Sequence, residues 1–313
     1  MNDLVIRNCL DFNQNKIDIL IKNGQIEDIS DKIHISNIPE IDAGEHFVTS
    51  PFVDSHFHMD ATLSYGLPRI NQSGTLLEGI NLWGELKKDL TPDAIKDRAR
   101  KLCKWSIARG TLGIRTHVDI SGHNLMAVEA LLDIKNEMKE FLDIQLVAFP
   151  QDGLYRANCI DNLQNSLELG VDVVGGIPHF ERTMADGAAS ITTLCEIAEK
   201  KGLLVDMHCD ESDDPLSRHV ENLAKETTRL GLEGRVAGSH LTSMHSMDNY
   251  YFSKLIALLV EADLHVIPNP LINITIQGRH DTYPKRRGLT RVPEQIEAGL
   301  NVAFGHDCVM DPW

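Results

Sequence analysis

The run Pro51-Phe52-Val53-Asp54-Ser55-His56-Phe57-His58 marks a change of texture along this chain of 313 residues. Before it, short β-type runs (Leu4-Val5-Ile6, Ile17-Asp18-Ile19-Leu20-Ile21, Ile26-Glu27-Asp28-Ile29) alternate with turn residues such as Lys22-Asn23-Gly24, which predicts a small antiparallel sheet. After it, β-rich runs are separated by long helix-compatible stretches, the βα alternation of a parallel sheet or barrel. The boundary therefore falls near residue 50. Residues 1–50 are expected to form a small β domain and residues 51–313 a barrel that ends just after its eighth strand.

Eight strands are expected at residues 53–58, 113–118, 144–149, 171–177, 203–208, 236–240, 265–268 and 301–305, the number that closes a (β/α)8 TIM-type barrel. Between them, segments such as 91–109 and 189–201 are rich in Ala, Leu, Ile, Glu and Lys with apolar residues at helical spacing. Thr91-Pro92 reads as an N-cap followed by Pro at the first helical position.

Ionisable residues cluster at the carboxyl ends of these strands, which in a βα barrel form one rim. In an extended segment residues two apart share a face, so His56 and His58 can address one ion. Alone, that pair is weak evidence, because the chain has 14 histidines. His208, closing strand five, and Asp307, closing strand eight, complete a set suited to one Zn²⁺ or Fe²⁺ per subunit, with Mn²⁺ a third option and a position left for water. Asp307 can also accept a proton from that water. Glu211, three residues after His208, is a candidate proton shuttle, although within Asp210-Glu211-Ser212-Asp213-Asp214 a solvated loop acid is the plain alternative. His240 after Ser239 is a candidate for polarising the water or, failing that, for a supporting hydrogen bond.

Hydrophobic content of 42% with 24% charged residues is that of a globular protein, and a net charge of −16 argues against nucleic-acid and membrane partners. Cysteines at 9, 103, 159, 195, 209 and 308 form no C-x-x-C pair, so reduced thiols are expected. The N-terminus has no secretory pattern and no apolar run is long enough to span a bilayer, which points to the cytoplasm.

Nearly the whole chain resembles bacterial cytosine deaminases of the amidohydrolase superfamily. The resemblance lies in residues 51–60 (PFVDSHFHMD), 71–76 (NQSGTL), 115–119 (RTHVD), 147–151 (VAFPQ), 208–211 (HCDE), 277–279 (QGR), 281–288 (DTYPKRRG) and 304–307 (FGHD), all in order. It implies a mononuclear metal on His56, His58, His208 and Asp307, proton transfer by Glu211 and His240, and Gln151 bonded to the carbonyl and ring nitrogen of a pyrimidine. It further implies a pocket lined by Leu76, Phe149 and Trp313, a homo-oligomer, and a place in pyrimidine salvage. Strand four ends without a Lys that could bridge two metals, which disfavours the dinuclear branch. His179-Phe180-Glu181 matches the H-x-E of unrelated zinc deaminases, but no P-C-x-x-C follows, so a structural role is expected.

Two departures stand out. Where the family carries a second acidic residue beside the metal aspartate, this chain has Cys308, smaller and less polar; if it faces ring carbon 5, a methyl group is favoured there. The chain also stops at Asp311-Pro312-Trp313, so the C-terminal part of the family fold, including strands that would make the small sheet β-sandwich-like, is expected to be missing. The expected function is metal-dependent hydrolytic deamination of a free aminopyrimidine, cytosine or 5-methylcytosine to uracil or thymine plus ammonia. The alternatives are a deaminase of another cyclic amidine, such as isocytosine or creatinine, and a truncated, inactive binding or assembly protein.

Overall fold

The computed structural model describes residues 3–313, in two compact units, one reaching to Pro51 and the other spanning Phe52–Trp313. In the first, β1 (Leu4–Leu10), β2 (Lys16–Lys22), β3 (Gln25–Ser30) and β4 (Glu40–Asp42) form one sheet in the order β3-β2-β1-β4. The expected strands are there, yet the sheet is mixed: β1, β2 and β3 pair antiparallel, whereas β4 runs parallel to β1 with Val5 opposite Glu40. The chain between Ser30 and Glu40 is long enough to return β4 in the direction of β1, which a tight hairpin cannot do. Arg7 holds this crossover, bonding Asp18 (2.7 Å) and Glu40 (2.6 Å).

The second unit carries a seven-stranded parallel sheet: β5 (Phe52–Phe57), β6 (Thr111–Asp119), β7 (Asp143–Phe149), β8 (Val173–Gly176), β9 (Leu204–Cys209), β10 (Val236–His240) and β11 (His265–Ile267), neighbours in chain order. Helices flank it: α1 (Leu76–Leu86), α2 (Pro92–Ile107), α3 (Met126–Met138), α4 (Cys159–Leu169), α5 (Met184–Lys201), α6 (His219–Leu230), α7 (Asn249–Glu261), α8 (Pro270–Ile276) and α9 (Val292–Glu297). Thr91 caps α2, its side chain accepting from the Ala94 amide, with Pro92 in the first turn. Helix α5 starts five residues before the expected 189, because Thr183 caps it by accepting from the Asp186 amide and Gly187 does not break it. A continuous apolar core of strand and helix residues, including Ile114, Leu146, Val174, Val205, Val236 and Val266, fills the space between sheet and helices.

The expected eighth strand is not a regular one. Residues 301–307 instead form single bridges to both edges, Val302 to Val266 on β11 and Asp307 to Phe57 on β5. Backbone bonds run to both sides: Val266 N to Asn301 O and Ala303 N to Val266 O towards β11, Asp307 N to His56 O (2.8 Å) and His58 N to Asp307 O (3.1 Å) towards β5. The segment thus bridges the two sheet edges as a stave, with Gly305 packed against His56 and Asn269. A Cβ added there would lie 2.5 Å from both His56 Cβ and Asn269 Oδ1. The architecture is a nearly closed TIM-type barrel.

Candidate metal centre and active site

The strand ends bring the candidate ligands together. His56 belongs to β5, His58 follows it directly, His208 belongs to β9 and Asp307 ends the stave, and one ligand atom from each lies within 4.8 Å of all the others. His58 Nε2 lies 3.0 Å from His208 Nε2, while Asp307 Oδ1 is 3.2 Å from His58 Nε2 and 3.5 Å from His56 Nε2. All four residues are buried. His56 Nε2 has no hydrogen-bond partner although it is buried. Burial, reinforced by the neighbouring imidazoles, holds His208 well below the ordinary histidine pKa, leaving it neutral with a lone pair available. Converging nitrogen lone pairs and a carboxylate repel one another unless a cation lies between them, so this donor set fits a divalent ion.

Burial alone would raise the Asp307 carboxyl, but the imidazoles of His56, His58 and His240 that face it outweigh burial and hold Asp307 well below the usual range. Glu211 is the opposite case. Burial, and then the charge of Asp307, push its carboxyl well above the ordinary value, so at neutral pH it is held towards its protonated form. Its Oε1 sits 3.2 Å from His240 Nδ1. His240 is itself kept well below its ordinary value by burial and is neutral.

Several of these side chains are aimed by uncommon backbone. Asp210, His240 and Asp307 have φ of 51°, 68° and 67°, a left-handed conformation that costs non-glycine residues energy and concentrates at functional sites. For Asp210 the compensation is visible: its carboxylate accepts from Ser217 Oγ (2.7 Å), His219 Nδ1 (2.9 Å) and the His219 and Val220 amides at the start of α6. Part of the acidic run after His208 is therefore not solvated, since Asp210 is fully buried and fixes the turn that carries Glu211.

A narrow inner cavity, with about 20 Å³ open to water centres and so room for roughly one water, is lined by His58, Leu76, Gln151, His208, Glu211, Asp307 and Trp313, with Ile80, Ile177 and Ile276 as its apolar wall. An outer cavity of about 650 Å³ shares Leu76, Glu211 and Ile276 with it, so Glu211 stands at the neck. Two expected pocket residues lie elsewhere. Phe149 is fully buried behind His208, stacked on its ring at 4.0 Å. The Cys308 thiol faces the indole instead of the cavity, accepting from Trp313 Nε1 at 2.6 Å. Glu181 of the His179-Phe180-Glu181 motif accepts from the Leu154 amide at 2.6 Å, a structural bond.

Asn269 and Asn273, not among the residues expected from the sequence, also reach His240. Both are buried, and Asn273 Nδ2 lies 3.0 Å from His240 Nδ1 and 3.4 Å from Glu211 Oε1, tying these two side chains together. Asn269 lies two residues after β11, at the carboxyl end of that strand like the other site residues. Asn273, one helical turn later, has no sequence signal of its own.

Residues 39–313 match the Amidohydrolase family. The chain is 29% identical over 323 residues to N-isopropylammelide isopropyl amidohydrolase of Pseudomonas sp., covering 99% of this chain and 75% of that protein. It is 25% identical to a pterin deaminase of Rhizobium rhizogenes, covering 95% and 68%. Among solved structures, 5-methylcytosine deaminase from Klebsiella pneumoniae liganded with 5-fluorocytosine superposes with a TM-score of 0.96 at 41% identity, over 99% of this chain and 76% of that one. No helix of the described residues is long and apolar enough to cross a membrane. With a family match over most of its length and a site made from strand ends, this chain belongs to the Amidohydrolase family.

Proposed function

We propose that the protein is a metal-dependent hydrolytic deaminase of a free aminopyrimidine base, converting cytosine or 5-methylcytosine to uracil or thymine with release of ammonia. The observation that carries this reading is Glu211, a buried carboxyl held towards its protonated form at the neck of a cavity walled by His58, His208 and Asp307. Likeness to a 5-methylcytosine deaminase that has also been solved with phosphonocytosine supports the substrate class.

His56, His58, His208 and Asp307 would hold Zn²⁺, Fe²⁺ or Mn²⁺, which when bound lowers the pKa of water towards neutrality and so makes it a nucleophile. Gln151 presents a donor and an acceptor in one amide, matching a ring carbonyl and its neighbouring N–H. Glu211 Oε1 gives its proton to the ring nitrogen beside the amine-bearing carbon as water oxygen bonds to that carbon, then takes the proton of the added hydroxyl and passes it to the amine, so that the carbonyl forms as the C–N bond breaks and ammonia leaves. His240 Nε2, 3.9 Å from Asp307 Oδ2, orients the attacking water with that carboxylate. Leu76, Ile80, Ile177, Ile276 and Trp313 form the apolar wall that excludes bulk water from this site.

The small neutral substrate, a cytoplasmic setting and a homo-oligomeric assembly complete the reading. It is tested by ammonia release from the metal-loaded protein with cytosine, 5-methylcytosine, isocytosine and creatinine. Turnover of the first two is expected, and His56→Asn should abolish both turnover and metal binding. Turnover confined to isocytosine or creatinine would move the assignment to another cyclic amidine.

A further inference from the structure

A line of hydrogen bonds crosses the inside of the barrel behind the candidate metal site, and the deamination scheme makes no use of it. Arg115 Nη1 on β6 donates to Asp206 Oδ2 on β9 (2.9 Å), Ser239 Oγ on β10 donates to Asp206 Oδ1 (2.7 Å), and His56 Nδ1 on β5 lies 3.0 Å from Ser239 Oγ. Asp206, Ser239 and His56 are all 0% exposed, so water does not compete for these bonds. Arg115 on one oxygen supplies the balancing charge for a carboxylate in this position, and an ionised carboxylate only accepts hydrogen bonds. His117 does not share it within hydrogen-bond reach, since its Nε2 is 3.9 Å from Asp206 Oδ1.

The directions of the bonds then follow from counting hydrogens. A serine hydroxyl has one hydrogen. With that hydrogen given to Asp206, Ser239 offers His56 only lone pairs, so His56 Nδ1 must be the protonated ring nitrogen. His56 Nε2, which has no hydrogen-bond partner and lies 3.5 Å from Asp307 Oδ1, is left with a free lone pair on the side where His58, His208 and Asp307 converge. We propose that Arg115, Asp206 and Ser239 are positioning residues that lock His56 in its Nδ1–H tautomer and so preset it as a metal ligand. This rests on the reading of His56 as a ligand. None of the three touches the substrate cavity, so their effect is on metal affinity.

The test has two independent readouts on the full chain. Long-range ¹H–¹⁵N correlation of the imidazole rings, with His56 assigned by comparison with His56→Asn, should find the Nδ1–H tautomer before zinc is added. An Nε2–H tautomer in the unsubstituted protein overturns the proposal whatever the variants do. Chelator competition for Zn²⁺ should then find Ser239→Ala and Asp206→Asn weakened by about 10–100-fold, the usual effect of losing a group that orients a metal-binding histidine. Asp206→Asn should also raise the Nε2–H population, because the Ser239 hydrogen is freed to turn towards His56. Zinc affinity in folded Ser239→Ala equal to that of the parent would sink the relay. A parent protein that binds no zinc but keeps the Nδ1–H tautomer would instead remove the metal reading, so the two failures are distinct.

Discussion

Glu211 and Gly305 are the residues whose environments make the sharpest demands. Because burial raises the Glu211 carboxyl, it keeps its proton to a higher pH than an ordinary glutamate and loses it as the pH rises through the elevated value. The pH profile of kcat should therefore fall on the alkaline side as this group ionises. Glu211→Gln should lower kcat by about 10²–10⁴-fold, the usual range for a general acid–base group, with metal content unchanged. A variant retaining parental kcat would remove Glu211 from the chemistry. Gly305 has a steric role: a methyl group there meets His56 Cβ and Asn269 Oδ1 at 2.5 Å. Gly305→Ala should cost about 1–3 kcal/mol by overpacking and displace His56, read as a lower denaturation midpoint together with weaker zinc binding. Glu211 was legible as a candidate because it follows His208 closely. The need for glycine at 305 was not, because the atoms it would meet come from residues 56 and 269.

At the scale of elements, the stave at residues 301–307 depends on a clamp from β5. Asp54 accepts from the His306 amide (3.0 Å) and lies 2.9 Å from His306 Nδ1, and that bond raises the imidazole above its ordinary value. A histidine with a raised folded pKa contributes stability that is complete below about pH 6.5, its unfolded value, and is lost as the pH rises through the folded value. Amide exchange in residues 301–307 should accordingly quicken as pH rises through that window, beyond the intrinsic base-catalysed increase, and Asp54→Asn should flatten the extra dependence. An unchanged excess in that variant would show that the clamp does not hold the stave. The run of residues 301–305 predicted a strand, yet only isolated bridges to β11 and β5 form. The single-layer N-terminal sheet shows the same limit: its strands were visible in the alternation of apolar and turn residues, whereas the parallel placement of β4 depended on pairing with β1.

For the whole molecule, the decisive quantity is the coupling of metal to fold. The proposed ligands come from β5, the residue after it, β9 and the stave, so a bound ion would tie the first and last parts of the barrel together. An ion present at about 100 times its dissociation constant stabilises the folded state by about 2.7 kcal/mol. Chelation should lower Tm by several degrees and readdition of zinc should restore it. Equal Tm values for stripped and loaded protein would contradict a site that bridges these elements. The net charge of −16 belongs to this scale as well, because it acts through the summed surface field.

Sequence by itself determined the βα alternation and the grouping of His56, His58, His208, Glu211, His240 and Asp307 at strand ends, because strand periodicity and strand polarity are local properties that a barrel converts into one rim. Tertiary structure alone decided which side chains line the cavity. It set Phe149 behind His208, turned the Cys308 thiol to Trp313, brought Asn273 to His240 and Glu211, and joined Arg115, Asp206 and Ser239 behind His56. Those relations are distances between residues far apart in the chain, and only packing and hydrogen-bond satisfaction in the closed barrel set them.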